Sequence, residues 1–119
     1  MTPEEYLTEC RRTEKRDDWG EITPELANNV RLLYTLIGLA TESGEAFDVF
    51  KKCLFYKRPF DLKHFASELS DVLWYLTMAA DIVGLTLEDL MTINCKKLQA
   101  RYPEKFTVEL ANNRKEGDI

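Results

Sequence analysis

The sequence has a single histidine, His64, and three scattered cysteines, Cys10, Cys53 and Cys95, with no CxxC pair. One imidazole excludes a histidine-rich metal site, and any Ser-His-Asp triad has only His64 to build on. An odd, dispersed set of thiols argues against a disulfide framework or a thiolate zinc site and points to a reducing compartment. Glycine and proline are scarce, 5 and 4 of 119 residues, below the usual ~12%, which argues against a loop-rich chain. No basic block exists and the formal net charge is −5, so a nucleic acid polymer is not an expected partner. The most apolar stretch, residues 65–83, is interrupted by Glu68, Asp71 and Asp81, so no membrane span is expected. Residues 1–5, Met-Thr-Pro-Glu-Glu, begin acidic; without an apolar leader segment, a cytoplasmic location is expected.

What is present favours helices. Leucine occurs 16 times against 10 for valine and isoleucine together, a helical balance. With 45% hydrophobic and 31% charged residues, the chain is globular in composition rather than disordered. Thr2, Pro3 and Glu5 form a capping box with proline at the first helical position, and that helix is expected to reach about Arg16. Thr23-Pro24-Glu25 repeats the signal for a second helix running to about Phe55. Pro59 marks the connection, and a third helix is expected from Asp61 or Leu62 to Gly84, a good residue just past a helix end. Thr86 to Asp89 open a fourth, ending near Arg101 before Pro103. Residues 108–119 read as a tail, leaving 1–107 as one domain. The fold expected is all-α, an antiparallel bundle of about four helices without strands. The third helix is apolar nearly all round, a pattern of helices surrounded by protein. Three companions in a chain this short hardly cover it, so completion by oligomerisation is expected, as a homodimer or a dimer of dimers.

Glu42 and Glu45 stand three apart on the second helix, and Glu68 and Asp71 repeat that spacing on the third. At ~100° per residue each pair shares a face. In an antiparallel hairpin facing residues have a constant index sum, and 42 with 71 matches 45 with 68. Both pairs interrupt apolar stripes, where four uncompensated carboxylates would repel one another and resist ionisation. Acidic pairs at this spacing are common on solvated helices, but two at one level in apolar surroundings call for a cation. An all-oxygen donor set suits Mg²⁺, with Mn²⁺ as substitute, rather than zinc or copper. A ferritin-like di-iron centre needs Glu-x-x-His motifs, which are absent.

The run Gly38 to Glu45, then Lys51-Lys52, then Glu68 to Tyr75, then Asn94, Lys97, Leu98 and Arg101-Tyr102-Pro103 resembles the MazG-type all-α nucleoside triphosphate pyrophosphohydrolases. Their superfamily also holds dimeric dUTPases and dCTP pyrophosphatases. The resemblance implies a Mg²⁺-dependent enzyme cleaving a nucleoside triphosphate to the monophosphate and pyrophosphate. It also implies Glu42, Glu45, Glu68 and Asp71 as metal ligands, with Glu42 or Glu45 as base. Thr41 stands where many members carry a further acid, so that position contributes no carboxylate here. Asn94, Lys97 and Arg101 share one face of the fourth helix and would grip phosphates. Lys52 is a further phosphate candidate, although it also offsets the helix dipole at its position. Trp19, favoured for its loop position, Trp74 and Tyr75 are candidates to stack on a base; aromatics on helices more often pack in a core. The rival reading is a non-catalytic helical dimer whose carboxylates hold a structural divalent ion or a basic protein partner.

Overall fold

Thr2 opens the first helix as its sequence dictates. Its hydroxyl accepts from the Glu5 amide at 3.1 Å, and the Glu5 carboxylate accepts from the Thr2 amide at 2.6 Å. The computed structural model describes residues 1–14 and 24–118, without the side chains of Pro24, Leu26 and Ala27. Within these it is all-α: α1 Pro3–Thr13, α2 Pro24–Phe55, α3 Leu62–Ile82, α4 Leu87–Arg101 and α5 Val108–Asn112. No strand occurs among the described residues. No helix is long and apolar enough to cross a membrane.

α1 is shorter than its sequence suggests. The Thr13 hydroxyl donates back to the carbonyls of Glu9 and Cys10, and Glu14 leaves the helix in an extended conformation. The cause is tertiary: the Glu14 carboxylate, with only 3% of its side chain exposed, accepts two bonds from the Arg31 guanidinium of α2, at 2.5 and 2.8 Å. A buried charge must be paired, and that demand overrides continuation of the helix.

α2 and α3 form an antiparallel hairpin over the connection 56–61. Lys57 takes a left-handed conformation, φ 55°, and the Asp61 carboxylate caps α3 by accepting from the His64 amide at 3.0 Å. At the far end Gly84, φ 80°, ends α3 in the conformation that favours glycine. Thr35, Gly38, Ala46 and Val49 are buried on α2, Thr77, Met78 and Ala80 on α3, and Cys10 on α1. Gly38 is indispensable to this packing, since the Tyr75 ring occupies the space a Cβ would need. α1 is fastened to α3 by an Arg11–Asp81 ion pair and by the Trp74 indole N–H, which donates to the Thr13 hydroxyl at 2.9 Å. Leu33, Leu36, Ile37, Phe47, Phe50 and Leu54 of α2 stay exposed, as do Leu69, Leu73 and Leu76 of α3.

The chain divides into two units, Met1–Gly84 and Leu85–Ile119. In the second, Thr86 and Asp89 complete a capping box for α4, with bonds of 2.9 and 3.1 Å. Thr107 caps α5 within the segment read as a tail. Asp118 returns to pair with Arg101.

Candidate metal centre

The buried stripe of α2 passes through Thr35, Gly38, Glu42, Ala46 and Val49, the spacing of a single helical face. Glu42 therefore points where the apolar residues point, toward α3. There it meets Glu68 and Asp71: one carboxylate oxygen from each of the three lies within 4.8 Å of the others. Burial holds the Glu42 carboxyl above the usual glutamate range. The charges of Asp71, Glu68 and Glu45, and a hydrogen bond to Glu68, push the same way. His64 Nε2 lies 2.7 Å from Glu68 Oε1, one turn earlier on α3.

Glu45 is exposed and stands outside this trio. Three residues turn a helix by ~300°, so Glu45 sits ~60° from the stripe centred on Glu42. The shared index sum sets the depth of a residue along a hairpin, while its rotation about the helix axis decides whether it faces inward.

A cleft of about 320 Å³ opens beside the acids, lined by Thr13, Tyr34, Glu42, Asp71, Trp74 and Tyr75. The Trp74 and Tyr75 rings meet edge to face at 4.9 Å, and Tyr75 lies 6.0 Å from Tyr34. The Tyr75 phenol is pushed up to about 12 by burial, by its hydrogen bond to Tyr34, and by the charges of Tyr34, Glu42 and Asp71. Tyr6 of α1 is likewise raised to about 12 by burial, by its bond to Cys10, and by the charges of Cys10 and Asp71. Both phenols thus stay protonated at neutral pH. Tyr34 was not singled out by the sequence reading; eight residues before Glu42 leave it ~80° round the helix, so spacing alone does not mark it.

The remaining candidates are dispersed. Lys52 donates to Asp48 at 2.7 Å within α2, and Lys52 and Lys51 hold the Asp48 carboxyl down at about 2. Lys52 also lines a cavity of about 560 Å³ at the hairpin turn with Arg58, Asp61 and His64. Arg58 is a cation that the motif reading passed over because it follows the helix end. Asn94, Lys97 and Arg101 belong to α4 in the second unit; Asn94 is exposed, Lys97 half-buried, and Arg101 is paired with Asp118. Trp19 lies outside the described residues.

Among the described residues no lysine or arginine forms an ion pair with Glu42, Glu68 or Asp71. Three hard oxygen donors drawn together in spite of their charge fit a hard divalent cation. The family model of the MazG nucleotide pyrophosphohydrolase domain matches residues 31–106. No curated protein and no solved structure gives a significant match.

Proposed function

Since the chain belongs to the MazG nucleotide pyrophosphohydrolase family, we propose that it cleaves a nucleoside triphosphate to the monophosphate and pyrophosphate, with magnesium held by Glu42, Glu68 and Asp71. The observation that carries this reading is the convergence of those three carboxylates to within 4.8 Å inside the matched region. The cation, when bound, offsets phosphate charge and makes water a stronger acid.

In this reading each candidate group has a task. Glu45, one turn from Glu42 on a flexible stem, swings in as a fourth ligand or as the base. Glu42, with its raised proton affinity, is the other candidate base, since a proton acceptor works best near the ambient pH. Trp74 and Tyr75 offer ring faces and edges to the nucleobase in the cleft, and Trp19 is a further base-stacking candidate by residue type alone. Lys52, Asn94, Lys97 and Arg101 bind phosphate oxygens. Residues 1–107 act as one functional domain in this scheme, and the protein works in the cytoplasm.

Pyrophosphate release should be measured across ribo- and deoxynucleoside triphosphates with Mg²⁺, with Mn²⁺ and with chelator. Turnover of at least one nucleotide is expected with either metal, and none with chelator. Silence on the whole panel would favour the rival, a non-catalytic helical dimer binding a divalent ion or a basic protein.

The exposed leucine and phenylalanine side chains of α2 and α3 support a second copy as the neighbour. A lone chain would leave these large apolar side chains in water. Sedimentation equilibrium should therefore give the mass of a dimer or of a dimer of dimers. A monomer at micromolar concentration would refute this.

A further inference from the structure

The second unit holds a cavity of about 540 Å³ lined on one side by α4 and on the other by residues 113–118. Four cations line it, Lys97, Arg101, Arg114 and Lys115, against two carboxylates, Glu116 and Asp118. In a chain of net charge −5 this is a local surplus of positive charge. The Arg101 Nε donates to both oxygens of Asp118 at 2.8 Å. The pair is largely withdrawn from water, with 12% and 17% of the two side chains exposed. Lys97 and Arg114 act on the same carboxylate from further off.

Phosphate oxygens are the other anionic acceptors that a guanidinium matches, so an arginine that donates to a carboxylate here can donate to a phosphate instead. Asp118 brings one negative charge into a cradle of four positive ones, and a diphosphate group brings three or four. With Lys97 and Arg101 taken as phosphate-binding under Proposed function, we infer that Asp118 is an internal competitor that a polyphosphate must displace from Arg101. The phosphate role of Lys97 and Arg101 rests on the reading under Proposed function; the Arg101–Asp118 pair is a feature of the structure. The segment 114–118 is thus a tethered plug. Its effective concentration beside Arg101 is high because the tether is short, and it raises the substrate level needed to occupy the cavity.

The test is titration of pyrophosphate into the full chain in metal-free buffer, followed by calorimetry, with thermal melting to confirm the fold. Asp118→Asn keeps the shape and removes the charge; it should bind pyrophosphate about tenfold more tightly than the parent. Asp118→Ala, which offers no substitute oxygen, should show the same gain. Adding Arg101→Gln to either variant should abolish it. Unchanged affinity in both Asp118 variants, or a gain that survives Arg101→Gln, overturns the inference. Nucleotide turnover by the parent protein is measured alongside. A tighter anion site with no turnover of any nucleotide sinks the enzymatic reading alone, whereas turnover with unaltered pyrophosphate affinity in the Asp118 variants sinks the plug alone.

Discussion

Glu42→Gln should silence nucleotide turnover, by roughly 10³-fold or more, while making the metal-free protein harder to melt. The two effects have one cause. Glu42 sits on the buried stripe of α2 facing Glu68 and Asp71, and burial together with their charge resists its ionisation. Glutamine keeps the shape and hydrogen-bonding capacity, removes the repulsion, and forfeits a ligand or a base. The pH dependence follows from the direction of the shift. A carboxyl whose folded-state pKa lies above its unfolded value binds more protons when folded, so stability rises as pH falls. Without metal, the parent should gain stability as pH drops from neutrality toward the ordinary glutamate value, and lose it as pH rises through the elevated folded value. In the difference between parent and Glu42→Gln, the opposing contributions of Asp48, Asp89 and Asp118, all held below their usual range, cancel. Divalent cation added at pH 7 should stabilise the parent and have little effect on the variant. A Glu42→Gln protein that melts lower than the parent in chelator would show that the carboxylate is structural.

Gly38→Ala should be among the most damaging methyl additions this chain can receive. A Cβ there would lie 2.0–2.4 Å from three atoms of the Tyr75 ring, which is held by its bond to Tyr34 and by edge contact with Trp74. Overpacking of this kind costs about 1–3 kcal/mol, a fall of roughly 4–12 °C in Tm for a domain of this size. Displacing the ring also reshapes the cleft, so KM for nucleotide should rise more than kcat falls. The double-mutant cycle identifies the cause. With Tyr75→Ala already present the obstacle is gone, and Gly38→Ala should turn neutral or stabilising, since alanine is the better helix former by about 1 kcal/mol. Equal damage in both backgrounds would place the cost elsewhere.

Much of this architecture is legible in the amino-acid order because its signals are local. Thr2, Asp61 and Thr86 cap the helices that they precede, and Gly84 ends α3. The meeting of Glu42 with Glu68 and Asp71 follows from spacing and a short turn. The separate position of Glu45 does not, because spacing fixes depth while the surrounding side chains fix which part of a face turns inward. The early end of α1 was hidden because it depends on Arg31, seventeen residues away from Glu14. Tyr75 was a base-stacking candidate from the sequence, whereas Tyr34 had no motif to mark it and emerges only as a wall of the cleft. Asp118 sits where no periodicity exists, so nothing in the order of residues announced its return to Arg101.

The bonds that fasten α1 to α3 span 61 and 70 residues of chain, whereas α2 and α3 are joined by a six-residue turn. Closing a long loop costs more entropy than closing a short one, and contacts of high sequence separation slow folding. Assembly of the molecule accordingly has two tempos. The acidic hairpin can zip from its turn, but the Thr13 wall of the aromatic cleft arrives only when the N-terminal helix has found its berth. A folding chain is therefore expected to form the carboxylate trio before the recess beside it, with the seventeen-residue Glu14–Arg31 link drawing α1 in.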